Sequence, residues 1–254
     1  MDVFTFFVNA GITMNWETLR SNIKRFGIFP ILFASFLPFS TDAGDFAMER
    51  NSMVDNQIIA RGIKDPRVLK ALRETPRHLF VPLQNERAYG DHPLPIGEGQ
   101  TISQPYIVAL MTELLKLKGT EKILEIGTGS GYQAAVLSPL CKEVYTIEIK
   151  KVLFNRTAPL LKKLGYDNVH PIFGDGYFGL EKKAPFDAII ITAAANHIPP
   201  PLVAQLKDGG KLVLPLNTNW LFQTLVVVTK EGGDIKMKNI ASVNFVPMTG
   251  RMLD

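Results

Sequence analysis

Two hydrophobic rhythms divide the chain. From Lys122 onward, short apolar runs alternate with longer amphipathic segments. The runs at 122–126 ("KILEI"), 144–148 ("VYTIE"), 169–173, 187–192 ("DAIIIT") and 211–216 ("KLVLPL") are mostly apolar, which predicts strands buried on both faces of a parallel sheet. Helical periodicity falls between them at 131–140, 151–165 and 200–207. Strand, helix and strand in series predict an α/β fold with a doubly wound, mostly parallel sheet. "QTLVVVTK" (223–230) and "IASVNFVP" (240–247) have no helix between them, only a break holding Gly232, Gly233 and Asp234, and predict a C-terminal antiparallel strand pair.

Before Lys122 the rhythm is helical. In "DPRVLKALRET", Asp65 is suited to cap a helix and Pro66 to its first position, with Val68, Leu69 and Leu72 on one face. "PYIVALMTELLKL" (105–117) is a second helix opened by Pro105. Between them, "AYGDHPLPIGEGQTIS" (88–103) is rich in Gly and Pro and reads as irregular; connections of that length in compact domains tend to carry function. Residues 46–117 are therefore expected to form an N-terminal helical and lid extension, and 118–254 the core of the same domain.

The first 45 residues follow neither rhythm. "FGIFPILFASFLPF" (26–39) follows Lys24 and Arg25 and precedes "STDAG", as in a secretory leader, with Met14 its natural start. It is too short, and too broken by Pro30 and Pro38, for a membrane span. The competing expectation is an extension ahead of a start at Met48 or Met53.

Composition narrows the chemistry. With 46% apolar and 20% charged residues the chain is expected to be a soluble globular protein, and a net charge of +4 without any basic tract gives no reason to expect a nucleic-acid partner. The single cysteine, Cys141, excludes an intramolecular disulfide and is expected to be a small buried hydrophobe near the end of a helix. His78, His92, His170 and His197 have no metal-ligand spacing, and no metal is expected.

The motif that carries chemistry is "LEIGTGSGYQ". Gly127, Gly129 and Gly131 lie where the first parallel strand ends, the edge at which open α/β sheets bind ligands. The dinucleotide fingerprint is G-x-G-x-x-G, whereas this one is G-x-G-x-G preceded by Glu125. A pyrophosphate needs donors and positive potential, whereas S-adenosylmethionine carries a sulfonium and an amino group and no phosphate, so an acid before the glycines suits it better. E-x-G-x-G-x-G is the motif of class I methyltransferases, and makes the expected fold Rossmann-like. Glu148, about 20 residues beyond Gly127 at the end of the second strand, is placed to take both ribose hydroxyls. Asp175 and Gly176, in "GDG" after the third strand, are expected at the adenine, Asp175 accepting from its amino group. A dehydrogenase is the competing enzyme class, but no proton-relay motif accompanies the glycines. Ser130 is not in a G-x-S-x-G elbow, which weighs against a hydrolase.

The acceptor comes from a resemblance. "PLPIGEGQTISQPYIVALMTELL" (93–115) resembles the N-terminal signature of the protein-L-isoaspartate O-methyltransferases. "LEIGTGSGYQAAVLS", "VYTIE", "GDG", "FDAIIITAAA", "QLKDGGKLVLPL" and "NFVPMTG" follow in that family's order, over roughly residues 54 to 250. The leader has no counterpart there. The resemblance implies a methyl donor, S-adenosylmethionine, and a substrate, the free α-carboxylate of L-isoaspartyl residues in damaged proteins and peptides. The ester then closes to a succinimide, whose hydrolysis restores some normal aspartate. It implies that Ser103 orients the acceptor carboxylate, as the serine of "TIS", and that Thr101, Ile102 and Gln104 help form a lid over the cofactor. It places Gln223 near the cofactor. A carboxylate is already ionised at neutral pH and needs no base, so the chain has to supply alignment and water exclusion instead. Sequence alone also allows Ser103 to be a helix cap ahead of Pro105. His197, after the fourth strand, reads as a loop residue and is left out of the site. The chain is expected to act as a monomer, and in the cytoplasm, where that cofactor is made, although the leader argues for export. The rival readings are a methyltransferase with a small-molecule acceptor and a non-catalytic cofactor sensor.

Overall fold

The alternating apolar runs form the predicted strands in a computed structural model of the chain, which describes residues 46–81, 87–217 and 222–253. The leader-like segment lies outside the described residues. Among the described residues three α-helices precede the core: α1 (Ala47–Met53), α2 (Pro66–Glu74) and α3 (Pro105–Leu115). Asp65 caps α2 by accepting from the Arg67 amide at 2.9 Å, Pro66 takes the first helical position, and Val68 and Leu72 are buried. Pro105 opens α3, and Lys116 ends it in the left-handed conformation. The segment expected to be irregular contains a small antiparallel hairpin, β1 (Leu94–Gly97) with β2 (Gln100–Ile102).

The sheet comprises β3 (Lys122–Ile126), β4 (Glu143–Glu148), β5 (Val169–Phe173), β6 (Phe186–Ile191), β7 (Leu206–Asn217), β8 (Gln223–Glu231) and β9 (Asp234–Val243). Their order is β5-β4-β3-β6-β7-β8-β9. Pairing is parallel from β5 to β7, and antiparallel for β7 with β8 and β8 with β9. Helices α4 (Tyr132–Leu137), α5 (Lys151–Lys163) and α6 (Pro200–Gln205) connect the parallel strands. The chain steps outward from β3 to β5 and then returns to β3's other side as β6. The order reverses there, so the ends of β3, β4 and β6 are where a ligand crevice is expected. No described helix is long and apolar enough to cross a membrane.

Strand periodicity sorts the core. Ile123 of β3 and Val144 of β4 pack with Val108 and Met111 of α3 on one face, whereas Leu124, Ile126 and Ile147 enter the cluster on the other. Three boundaries differ from expectation. Helix α6 stops at Gln205 and β7 begins at once, because the register shift after Phe186 absorbs Gly209 and Gly210 into an irregular start of the strand. Strand β9 begins at Asp234, since Gly232 and Gly233 both have positive φ and make a two-residue hairpin turn; residues 244–247 leave the sheet. Helix α4 is shorter than predicted and passes into a tight turn at Ser138–Leu140, and Cys141 is buried just beyond it.

Candidate active site

The glycine turn after β3 is tied into its surroundings on three sides. The amides of Gly127 and Thr128 both donate to the Ile147 carbonyl of β4, at 2.9 and 3.2 Å. The Gly129 amide donates to Glu148 Oε2 at 2.8 Å, and the Gly129 carbonyl accepts from Thr157 Oγ1 of α5 at 2.7 Å. All three glycines have positive φ, but they serve different purposes. A Cβ on Gly131 would lie 2.7 Å from Thr157 Cγ2, so this glycine lets α5 approach and does not face the pocket. Gly129 itself lines the pocket, and a Cβ there would project beside the buried Ile96 of the hairpin, 3.5 Å from its Cδ1.

That pocket lies at the reversal of strand order. Its walls are the turn itself, Glu148 at the end of β4 with Ile149 and Lys150 after it, Gly176 after β5, Thr192 and Ala193 after β6, Gln100 to Ser103 of the hairpin and its exit, and Val246 to Thr249 from the C-terminal segment. It therefore brings together Ser103, Thr101, Ile102, Gly127, Gly129, Glu148 and Gly176, all expected from sequence. Glu148 is 5% exposed, and both its oxygens accept from backbone: Oε2 from Gly129 and Oε1 from Lys150, each at 2.8 Å. The Ser103 hydroxyl lines the pocket and has no hydrogen-bond partner among the described residues. It does not cap α3, whose N-cap residue is Gln104 with no side-chain cap bond.

Besides Gly131, three expected residues stand elsewhere. Glu125 lies under the turn, not on its wall. Period-two alternation puts it on the face of Ile123, inside the core and fully buried, where Thr146 Oγ1 donates to its Oε2 at 2.5 Å and Oε1 has no partner. Desolvation, opposed by the Thr146 bond and reinforced by the Glu148 charge, pushes its carboxyl up to about 8. Gln104 does not cover the pocket: its Nε2 donates to Asp91. The Asp175 carboxylate is likewise not in the wall, where its neighbour Gly176 is. Its Oδ1 accepts from the Tyr177 amide at 2.9 Å and its Oδ2 from the Arg251 amide at 2.8 Å, which makes it an anchor for the C-terminal segment.

Gln223 is a clasp on that same segment. Its side chain accepts from the Phe245 amide at 2.6 Å and donates to the Phe245 carbonyl at 3.1 Å, just ahead of the wall residues. Ala194 continues the grip, donating to Val246 and accepting from Met248, both at 2.8 Å. His197 meets the Tyr177 hydroxyl at 3.3 Å, away from the pocket wall. Sequence reasoning missed Thr192, which donates to the carbonyls of Ile126 and Gly127 at 3.0 and 2.7 Å, and the wall residues 246–249. "NFVPMTG" carried a signal for the latter, but only as a resemblance.

Glu125 yields a pH prediction. Its folded-state value lies above the ordinary carboxyl value of 4.5, so the folded protein holds a proton that the unfolded chain releases. Stability should then fall as pH rises from about 4.5 to about 8, by at most about 1.4 kcal/mol per unit for this group. In urea titrations across that range, Glu125→Gln should flatten the slope; an unchanged slope would assign it to other groups.

The turn is poorly prepared for a phosphate. The amides of Gly127, Thr128, Gly129 and Gly131 already donate within the protein, and that of Tyr132 donates to Ser130 Oγ. A pyrophosphate would need such donors free. An acid in the wall and a glycine cradle whose amides at Gly127, Thr128, Gly129 and Gly131 are already engaged fit a phosphate-free, positively charged nucleoside better.

Comparison with known proteins agrees with this geometry. A sequence model of the protein-L-isoaspartate(D-aspartate) O-methyltransferases matches residues 48–253. Protein-L-isoaspartate O-methyltransferase 2 of Shewanella sediminis is 63% identical over 213 residues, 84% of this chain and 87% of the relative. Protein-L-isoaspartate O-methyltransferase 1 of Nitrosospira multiformis is 50% identical over 241 residues, 93% of this chain and 99% of the relative. A solved chain described as a protein-L-isoaspartate O-methyltransferase superposes with a TM-score of 0.72 at 28% identity, covering 81% of this chain and 67% of its own. A Plasmodium falciparum chain described as the same enzyme, in complex with S-adenosyl-L-homocysteine, gives a TM-score of 0.68 at 28% identity, covering 79% of this chain and 98% of its own. The chain belongs to the protein-L-isoaspartate(D-aspartate) O-methyltransferase family.

Proposed function

We propose that this protein transfers the methyl group of S-adenosylmethionine to the free α-carboxylate of L-isoaspartyl residues in damaged proteins and peptides, opening their repair. The observation that carries the reading is the Ser103 hydroxyl, unpartnered in the wall of a pocket that also holds the glycine turn and Glu148. Bound S-adenosylmethionine supplies an electrophilic methyl carbon; the carboxylate oxygen bonds to it as the carbon–sulfur bond breaks, leaving a methyl ester and the neutral thioether. Glu148 takes the ribose hydroxyls on the lone pairs that Gly129 and Lys150 leave. Gly176 and the backbone after β4 border the adenine. Thr101 and Ile102 close over the cofactor from the hairpin.

Ser103 donates to one carboxylate oxygen and so aims the other along the line of carbon and sulfur. No group has to remove a proton, because the acceptor is an anion at neutral pH. The chain's contribution is alignment and exclusion of water, which can supply several kcal/mol of the barrier. The ester leaves as methanol more readily than the acid leaves as hydroxide, so the next backbone nitrogen closes the succinimide without the enzyme.

The described walls of the pocket all come from one chain, in keeping with a monomer, and the lack of a basic tract in the sequence is in keeping with action without nucleic acid. Dependence on a cytoplasmic cofactor supports action in the cytoplasm. A small-molecule acceptor draws no support from relatives named for isoaspartate. Incubation with methyl-labelled S-adenosylmethionine and an isoaspartyl peptide should place the label in an ester released by mild alkali. Label that survives alkali would mean a nitrogen or carbon acceptor and would overturn the reading.

A further inference from the structure

Asp91 lies at the entrance of the β1–β2 hairpin and Gln104 at its exit, directly after Ser103. Gln104 Nε2 donates to both the Asp91 carbonyl oxygen, at 3.1 Å, and Asp91 Oδ2, at 2.8 Å. The same Oδ2 takes Arg61 Nη1 at 2.6 Å. The Arg61 guanidinium lies 3.5 Å over the ring of Tyr106, in the first turn of α3. One carboxylate oxygen thus joins the turn at Arg61, the hairpin entrance and the start of α3.

The hairpin needs such anchors. It has three residue pairs, a register shift and positive φ at Gly97, Glu98 and Gly99. Two strands of that length are not stable alone. Ile96 and Ile102 secure its apolar side by burial, and the Asp91–Gln104 contact closes its neck. Ser103 sits between these two fixings, after Ile102 and before Gln104. With no partner to hold its hydroxyl, its placement depends on its backbone. A lone ion pair as exposed as Arg61–Asp91 would contribute little, but here the carboxylate is shared with a side chain adjoining the residue that orients the acceptor.

We infer that Asp91 is a positioning residue, which with Gln104 and Arg61 clamps the neck of the hairpin and so sets Ser103 against the acceptor carboxylate. This rests on the methyl-transfer reading and adds to it a group that touches neither cofactor nor acceptor.

The test uses the full chain with Asp91→Ala, Asp91→Asn, Gln104→Ala and the Asp91→Ala/Gln104→Ala double variant. Asp91→Ala should lower kcat/KM for an isoaspartyl peptide about tenfold, since small misplacements of reacting groups have effects of that order or larger. Affinity for S-adenosylhomocysteine should stay within about twofold, and amides of residues 94–103 should exchange hydrogen faster. Asp91→Asn keeps an oxygen for Gln104 and should recover most of the exchange protection and activity. The double variant should be no worse than Asp91→Ala within about twofold, as expected for residues acting as one unit. If Asp91→Ala does not fold, Gln104→Ala carries the same expectations. A folded single variant with unchanged kcat/KM and unchanged exchange, or single losses that multiply in the double variant, would overturn the clamp. If the unmodified protein does not methylate the peptide, the methyl-transfer reading fails, while exchange at 94–103 still decides whether the clamp exists.

Discussion

Ser103→Ala should lower kcat by about 10- to 100-fold while affinity for S-adenosylhomocysteine stays within about threefold. The range follows from removing a hydrogen bond to a charged acceptor, a contribution of about 1.5–3 kcal/mol. The bond is realised only with the acceptor in place, so the loss belongs to turnover and not to cofactor binding. Stability should be nearly unchanged: the hydroxyl caps no helix and bonds to no described residue. Single-turnover rates, calorimetry and urea melting on one preparation separate the three quantities. Equal losses in turnover and cofactor affinity would make Ser103 a cofactor residue; unchanged turnover would remove it from the site.

Glu148→Ala should do the reverse and weaken the cofactor about 100-fold or more. Its carboxylate clasps the glycine turn through Gly129 and the start of α5 through Lys150, both at 2.8 Å, and is proposed to hold the ribose. Truncation removes two charge-assisted bonds and leaves both amides without their acceptor. Glu148→Gln keeps one acceptor oxygen and should lie between, about tenfold weaker, because its amide cannot accept from the second backbone donor. Calorimetry with S-adenosylhomocysteine reads both variants directly. Unchanged affinity in folded Glu148→Ala would remove the acid from the ribose and leave it a purely structural clasp.

Both residues are legible in the amino-acid sequence, but by different routes. Gly127, Gly129 and Glu148 follow strands whose burial on both faces wrote continuous apolar runs into the sequence, so the strand ends could be placed and the chemistry read at them. Ser103 was legible only through "QTIS" and its resemblance, because the hairpin that carries it holds Pro95, Gly97 and Gly99, which signal irregular chain. Its strands come from pairing Leu94 with Ile102, a contact no local pattern announces.

Glu125, Asp175 and Gln104 show where a motif stops specifying direction. An acid ahead of the glycines has to be somewhere near a ligand, but the pleat turned Glu125 into the core, where burial and the nearby Glu148 charge, against the opposing Thr146 hydrogen bond, keep it protonated near neutral pH. Asp175 answers to the C-terminal segment and Gln104 to Asp91, both through contacts distant in sequence. Residues 246–249 reach the wall the same way, by the pairing of Ala194 with Pro247, whereas Thr192 is held at the end of β6 by the carbonyls of Ile126 and Gly127. A single sequence shows neither contact.

Methyl transfer from labelled S-adenosylmethionine to two peptides that differ only in isoaspartate or aspartate at one position separates isoaspartyl methylation from every rival reading. Alkali-labile label is expected on the isoaspartyl peptide alone. Label on both peptides equally, or on neither while S-adenosylhomocysteine still binds, would contradict it.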